Sequence, residues 1–248
     1  MKNIITTATL LAAGSALACA EITLWEDAPQ TASGAEVATW NVSGSGLTWS
    51  ANVAESVIFT IDYASIDASK SYALFSVKDT NYNGLASIYI SGGDIAFHSY
   101  DDNSAYTCAL SEIAEGTSDL TFVFSRTADN KARVAVYGDG VFDAALAEFE
   151  KVSSGASGFS FSGIAWSELN FGGTTGESYL GKANNLIPSN ATADEFDLLG
   201  VGYSVNGTVG TSDLASYYSA AIPEPSAFGL LAGLGALALV GARRRRSR

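Results

Sequence analysis

Residues 227–242 form a charge-free run of 16 residues, built from Leu, Ala, Gly, Val and one Phe, and the run ends directly in Arg243, Arg244, Arg245 and Arg246. Burying such a run in a soluble core would drag the arginine block towards the interior, so a packed globular helix is the poorer solution. Transfer into hydrocarbon is favourable along the whole run, and as a helix rising roughly 1.5 Å per residue it reaches about 24 Å, slightly short of a ~30 Å hydrocarbon core. The run is expected to be a transmembrane helix. The arginines resist crossing and act as the topology signal, staying cytoplasmic and leaving everything before Pro223 outside.

The other end of the chain reads as a second address. Lys2 gives a short basic start, residues 4–18 are apolar or small, and Ala18-Cys19-Ala20 carries small residues at alternate positions. This is the pattern of a cleavable signal peptide over residues 1–20, with signal peptidase as processing enzyme and Glu21 as the first mature residue. The lipoprotein alternative would acylate Cys19, but Ala16 stands where a larger aliphatic residue is usual.

Pro223-Glu224-Pro225, the apolar run and the arginine cluster follow one another in an order that closely resembles the PEP-CTERM sorting signal of Gram-negative bacteria. The resemblance covers residues 223–248. It implies recognition by exosortase, a membrane transpeptidase, with Pro223, Glu224 and Pro225 as the sorting motif read by that enzyme. It also implies secretion across the inner membrane, followed by membrane anchoring or transfer to the cell surface or extracellular matrix.

Residues 21–222 remain as one domain, long enough to bury about 70% of its unfolded surface. Removing the signal takes Cys19 and leaves Cys108 alone of the two cysteines, so core burial rather than a disulfide framework must hold the domain. Residues 21–242 carry all 26 acidic residues against seven basic ones, a net charge of −19 where the whole chain has −13. Such a surface repels nucleic acid and anionic lipid and keeps an exported protein soluble.

Within the domain, apolar residues alternate. Val57, Phe59, Ile61 and Tyr63 interleave with Ile58, Thr60 and Asp62, and Leu120, Phe122, Phe124, Val134 and Val136 repeat the pattern. Turn signals separate them at Asn83-Gly84, Gly92-Gly93, Asp129-Asn130 and Gly138-Asp139-Gly140. Helical signals are short: residues 144–152, and a stretch capped by Ser212-Asp213 through Tyr218. Without a βαβ rhythm, the class is all-β, an antiparallel sandwich. The hairpin over residues 119–140, ending Tyr137-Gly138-Asp139-Gly140, resembles the central hairpin of laminin G-like, concanavalin A-like jelly rolls, and residues 193–203 resemble their final strand. That resemblance implies a jelly-roll fold shared by lectins, hydrolases, adhesion modules and passive spacers.

Catalytic chemistry finds little purchase. His98 is the only histidine, and the alternation of Ile95 and Phe97 against His98 places it on a solvent-facing side. Glu195-Phe-Asp197 begins the Glu-x-Asp-x-x-Glu pattern of concanavalin A-like glycoside hydrolases, but Gly200 stands where the general acid belongs. Asp79, Asn81 and Asn83 space oxygen ligands as a calcium loop does, though Asn83-Gly84 reads first as a hairpin turn and Ile90 replaces the bidentate glutamate. Asp101-Asp102-Asn103 is a similar turn. Trp25, Trp40, Trp49 and Trp166, with Tyr217 and Tyr218, are the candidate stacking residues for a glycan. The sequence therefore points to a non-catalytic glycan- or protein-binding module of the surface or matrix. A structural matrix component and a glycoside hydrolase-like enzyme are the alternatives.

Overall fold

The computed structural model describes residues 20–33, 38–47, 54–79, 84–99, 102–126, 131–152, 166–172, 195–205 and 207–222. Among the described residues thirteen strands make two antiparallel sheets facing one another, accompanied by one α-helix. In the first sheet the order is β1 (Thr23–Leu24), β13 (Glu195–Ser204), β4 (Glu55–Asp62), β9 (Asp119–Arg126), β10 (Lys131–Gly138) and β11 (Ala147–Val152), with β2 (Thr31–Ser33) also pairing β13. In the second it is β3 (Ala38–Asn41), β12 (Trp166–Phe171), β5 (Tyr72–Asp79), β6 (Gly84–Ser91), β7 (Asp94–Ser99) and β8 (Asp102–Ala109). Helix α1 (Thr211–Ala221) lies against the outer face of the first sheet, next to β13.

The alternation expected from the sequence decides which side chains meet. Val57, Phe59 and Ile61 of β4 and Leu120, Phe122 and Phe124 of β9 point between the sheets and join Phe75, Ile88, Phe97 and Phe171 in one core. Phe59 lies at its centre, 4.8 Å from Phe122 between nearly parallel rings and 5.5 Å from the edge-on Phe171. Burying one such ring contributes about 1.5–3 kcal/mol. The opposite side of the first sheet carries Ile58, Val123 and Ala135, which pack beneath Phe142 and the α1 residues Leu214 and Tyr217.

Turn chemistry sets the registers. Gly92 and Gly93 both take positive φ, and the β6–β7 hairpin closes tightly around them, pairing Ser91 with Asp94. β5 and β6 are antiparallel neighbours, and the turn expected at Asn83-Gly84 falls on residues 80–83, which lie outside the described residues. The helix expected over residues 144–152 is instead β11. Ala147 and Phe149 turn inward while Glu148 and Glu150 turn outward, a period of two that pairing with β10 enforces over the helix-forming composition. The second expected helix forms and runs further than anticipated, to Ala221, with Asp213 Oδ2 accepting the Gly210 N–H at 2.9 Å. Among the described residues no helix is long and apolar enough to cross a membrane, and the expected transmembrane run 227–242 lies outside them, as do residues 1–19.

Candidate functional site

Strand β13 has different partners along one edge. β2 pairs with it at Glu195 to Asp197 and β1 at Gly202 and Tyr203. Between these the chain arches away over residues 25–30, tied by the Trp25 N–H to Val201 O at 3.0 Å and the Leu198 N–H to Gln30 O at 2.7 Å. On the other edge the pairing with β4 slips between Leu198 and Gly200, and this bulge leaves Leu199 38% exposed. Arch and bulge enclose a groove of about 370 Å³ lined by Trp25, Glu26, Gln30, Leu199 and Ala221. It continues into a depression of about 350 Å³ that adds Thr31, Asp197 and Ile222. The lining combines Trp25, Leu199 and Ala221 with two carboxylates, Glu26 and Asp197, and the Gln30 amide.

Trp25 and Trp40 are stacked at 5.3 Å with rings 9° apart, Trp25 lies 6.1 Å from Phe171, and Trp40 lies 5.0 Å from Tyr203. Both are half-buried against the core. Trp40 thus backs Trp25, and only Trp25 of this pair lines the groove. Trp49 lies outside the described residues, as do Asn81 and Asn83; Trp166 opens β12 and Asp79 closes β5, their side chains outside the description. Among the described residues no three His, Cys, Asp or Glu side chains converge as a metal site. Tyr217 is buried and Tyr218 half-buried, so both hold α1 to the sheet. The Tyr217 hydroxyl meets Thr60 Oγ1 at 3.2 Å, and burial pushes its pKa upward.

The hydrolase-like acids are exposed on β13. Asp197 Oδ1 accepts from Thr31 Oγ1 at 3.2 Å. Gly200 has a packing reason: a Cβ there would stand 2.7 Å from Ala221 Cβ and 3.2 Å from the Tyr217 hydroxyl. The position that breaks the catalytic pattern is the seat of the helix. Cys108 is half-buried, its thiol 4.0 Å from Glu112 Oε2, and burial followed by the charges of Glu112 and Asp94 raises its pKa. That leaves less thiolate than an ordinary cysteine has. His98 stands at the register position opposite Ser87 on β7. On the outer side of the second sheet, Asn170, Ser76 and Ser87 form a cross-strand row, with Thr39 Oγ1 donating to Asn170 Oδ1 at 2.9 Å. All three are buried, so the row is not an open ligand surface.

The tight turn that ends the matched hairpin is built by charge and glycine together. Asp139 adopts a φ of +51°, and its Oδ1 accepts the N–H groups of Ser118 at 2.7 Å and Asp119 at 3.3 Å. Gly140 next to it leaves room for Tyr218, whose ring a Cβ would meet at 2.7 Å.

The groove residues Glu26, Gln30 and Leu199 carry no motif and were not foreseen. Gly200 and Gly202 inside one strand are the signal that points to them, since interior strand glycines mark bulges and close approaches.

The fold and the C-terminal tail together define a β-sandwich protein bearing a C-terminal sorting signal. Residues 221–246 match the PEP-CTERM protein-sorting motif. The motif marks export and sorting to the membrane or cell surface in Gram-negative bacteria, with processing by exosortase. No curated protein matches the sequence. Among solved structures the fold is similar to botulinum neurotoxin type C, in work on its interaction with two ganglioside molecules. The identity is 13% and the TM-score 0.50, over 82% of this chain and 46% of that one. It is similar to the botulinum neurotoxin serotype D/C binding domain at 14% identity and a TM-score of 0.50, over 82% of this chain and 48% of that one. This chain therefore spans about half the length of the structures it resembles, and the likeness is one of fold.

Proposed function

We propose that the protein is a non-catalytic binding module, a jelly roll of the concanavalin A-like kind, presented outside the cell and recognising an extracellular glycan or protein through the β13 groove. The observation that carries this reading is the bulge that turns Leu199 outward beside Trp25, with Glu26, Gln30 and Asp197 around them. The aromatic and aliphatic side chains of the lining take the apolar face of a sugar ring or a side chain, while its carboxylates and amide hydrogen-bond hydroxyls or amines. With two carboxylates and no cation among its described lining residues, the groove favours neutral or amino-bearing ligands over anionic ones.

Residues 1–20 act as export signal in this reading, and 227–242 as the span that holds the chain while Pro223, Glu224 and Pro225 are read. Calcium at Asp79, Asn81 and Asn83, and ligand contacts from Trp49 and Trp166, belong to the same proposal. A glycan and protein array probed with the exported domain, with calcium and with chelator, tests it. Binding that Leu199→Ser and Glu26→Gln abolish is the expected result. Absence of any ligand under both conditions would leave the matrix-component reading in its place.

A further inference from the structure

We propose that the export signal is removed after Ala18, so that the mature chain begins at Cys19 and keeps Ala20. The inference rests on the signal-peptide reading of the amino terminus and concerns which bond is cut. Ala20 is only 6% exposed, and its N–H donates to Asp213 Oδ2 at 3.4 Å, the oxygen that also takes the Gly210 N–H at the start of α1. Ala20, Ile22 and Leu24 then run along one wall of a cleft whose other wall is α1, through Asp213, Ser216 and Tyr217. Ile22 sits so close to β13 that a Cβ on Gly202 would come 2.8 Å from its Cγ2. Thr23 and Leu24 follow directly in β1. Ala20 therefore packs as part of the folded domain.

Cleavage after Ala20 would strip a buried residue and one of the two amide donors from Asp213. Cleavage after Ala18 meets the same requirement for small residues at alternate positions, through Ala16 and Ala18. Water adds across the Ala18–Cys19 peptide bond, leaving a carboxylate on Ala18 and the new amino group on Cys19, while Ala20 keeps an ordinary backbone amide for Asp213. The exported chain then carries two cysteines, Cys19 and Cys108, where a cut after Ala20 leaves one.

Mass spectrometry of the amino-terminal peptide of the full-length protein, exported by a Gram-negative host, tests this. A first residue of Cys19, with its amine free or acylated, supports the proposal. A first residue of Glu21 overturns it and leaves the signal-peptide reading standing, whereas a chain that still begins at Met1 overturns both. Two variants give an independent readout, because only small uncharged side chains satisfy the peptidase at these positions. Ala16→Asp is expected to lose the mature form and Ala20→Leu to retain it; the opposite pattern would place the cut after Ala20.

Discussion

The Tyr218 hydroxyl donates to Asp119 Oδ2 at 2.6 Å, joining helix α1 to the first residue of β9 across 99 positions of sequence. The other carboxylate oxygen, Oδ1, is buried without a hydrogen-bond partner. Burial first, and then the charges of Asp139 and Asp62, push the Asp119 carboxyl above its ordinary value, with the Tyr218 bond opposing them.

This arrangement makes stability depend on pH with a definite sign. The folded protein holds the Asp119 proton more tightly than the unfolded chain. The stability it contributes is complete below the ordinary carboxyl value of about 3.9 and is lost as pH rises through the higher folded value. Asp119→Asn keeps an acceptor for Tyr218 and removes the titration. Denaturant midpoints measured from about pH 4 to pH 7 are expected to fall less in the variant than in the parent; parallel curves would refute the assignment.

Tyr218→Phe removes the donor and leaves a buried carboxylate oxygen without its bond. A loss of about 1–3 kcal/mol in unfolding free energy is expected, read from chemical denaturation. In the double variant Asp119→Asn with Tyr218→Phe, the two effects should be non-additive, since the residues are in contact.

Gly200→Ala tests whether the glycine serves the helix. The added methyl meets Ala221 Cβ, which sits on the helix backbone and cannot swing away. The expected cost is about 1–3 kcal/mol, with α1 displaced and more readily cut by protease. A variant as stable as the parent would show that the helix seats differently.

What the sequence made legible is what local chemistry determines. The alternation in β4 and β9, the glycine pair of the β6–β7 hairpin, the Gly138-Asp139-Gly140 turn and the Asp213 cap are all written within a few residues. Residues 144–152 misled because Ala, Leu and Glu suit a helix in isolation, while pairing of Phe149 with Val134 is a long-range fact. The neighbours of β13 and β12 have no local signature either. The groove followed the same rule: Trp25 stood out by type, but Glu26, Gln30 and Leu199 gain meaning only when the arch meets the bulge.

The groove separates stability from recognition at single positions. Leu199 is partly exposed, so Leu199→Ser is expected to change stability by no more than about 0.5 kcal/mol while abolishing ligand binding. Trp25→Ala removes a ring packed on Trp40 and Phe171 and is expected to cost about 2–3 kcal/mol as well as binding. Thermal unfolding beside a binding titration distinguishes the two.

Cys108 should react slowly with a thiol reagent near neutral pH, because burial and Glu112 hold its pKa up. Glu112→Gln removes the nearest charge, lowers that pKa and is expected to speed the reaction. Rates measured in a Cys19→Ser background, so that one thiol reports, would contradict this if they were equal with and without the substitution.

Helix α1 is the last described element before the sorting tail, and it grips the sandwich through Tyr217 on Thr60, Tyr218 on Asp119 and Ala221 over Gly200. For a chain tethered by its carboxyl end, any pull from a captured ligand reaches the anchor through those three grips before it reaches a strand ladder. If the carboxyl end stays anchored and the groove binds as proposed, helix α1 is the element expected to peel first under load, while the two sheets and their aromatic core stay closed.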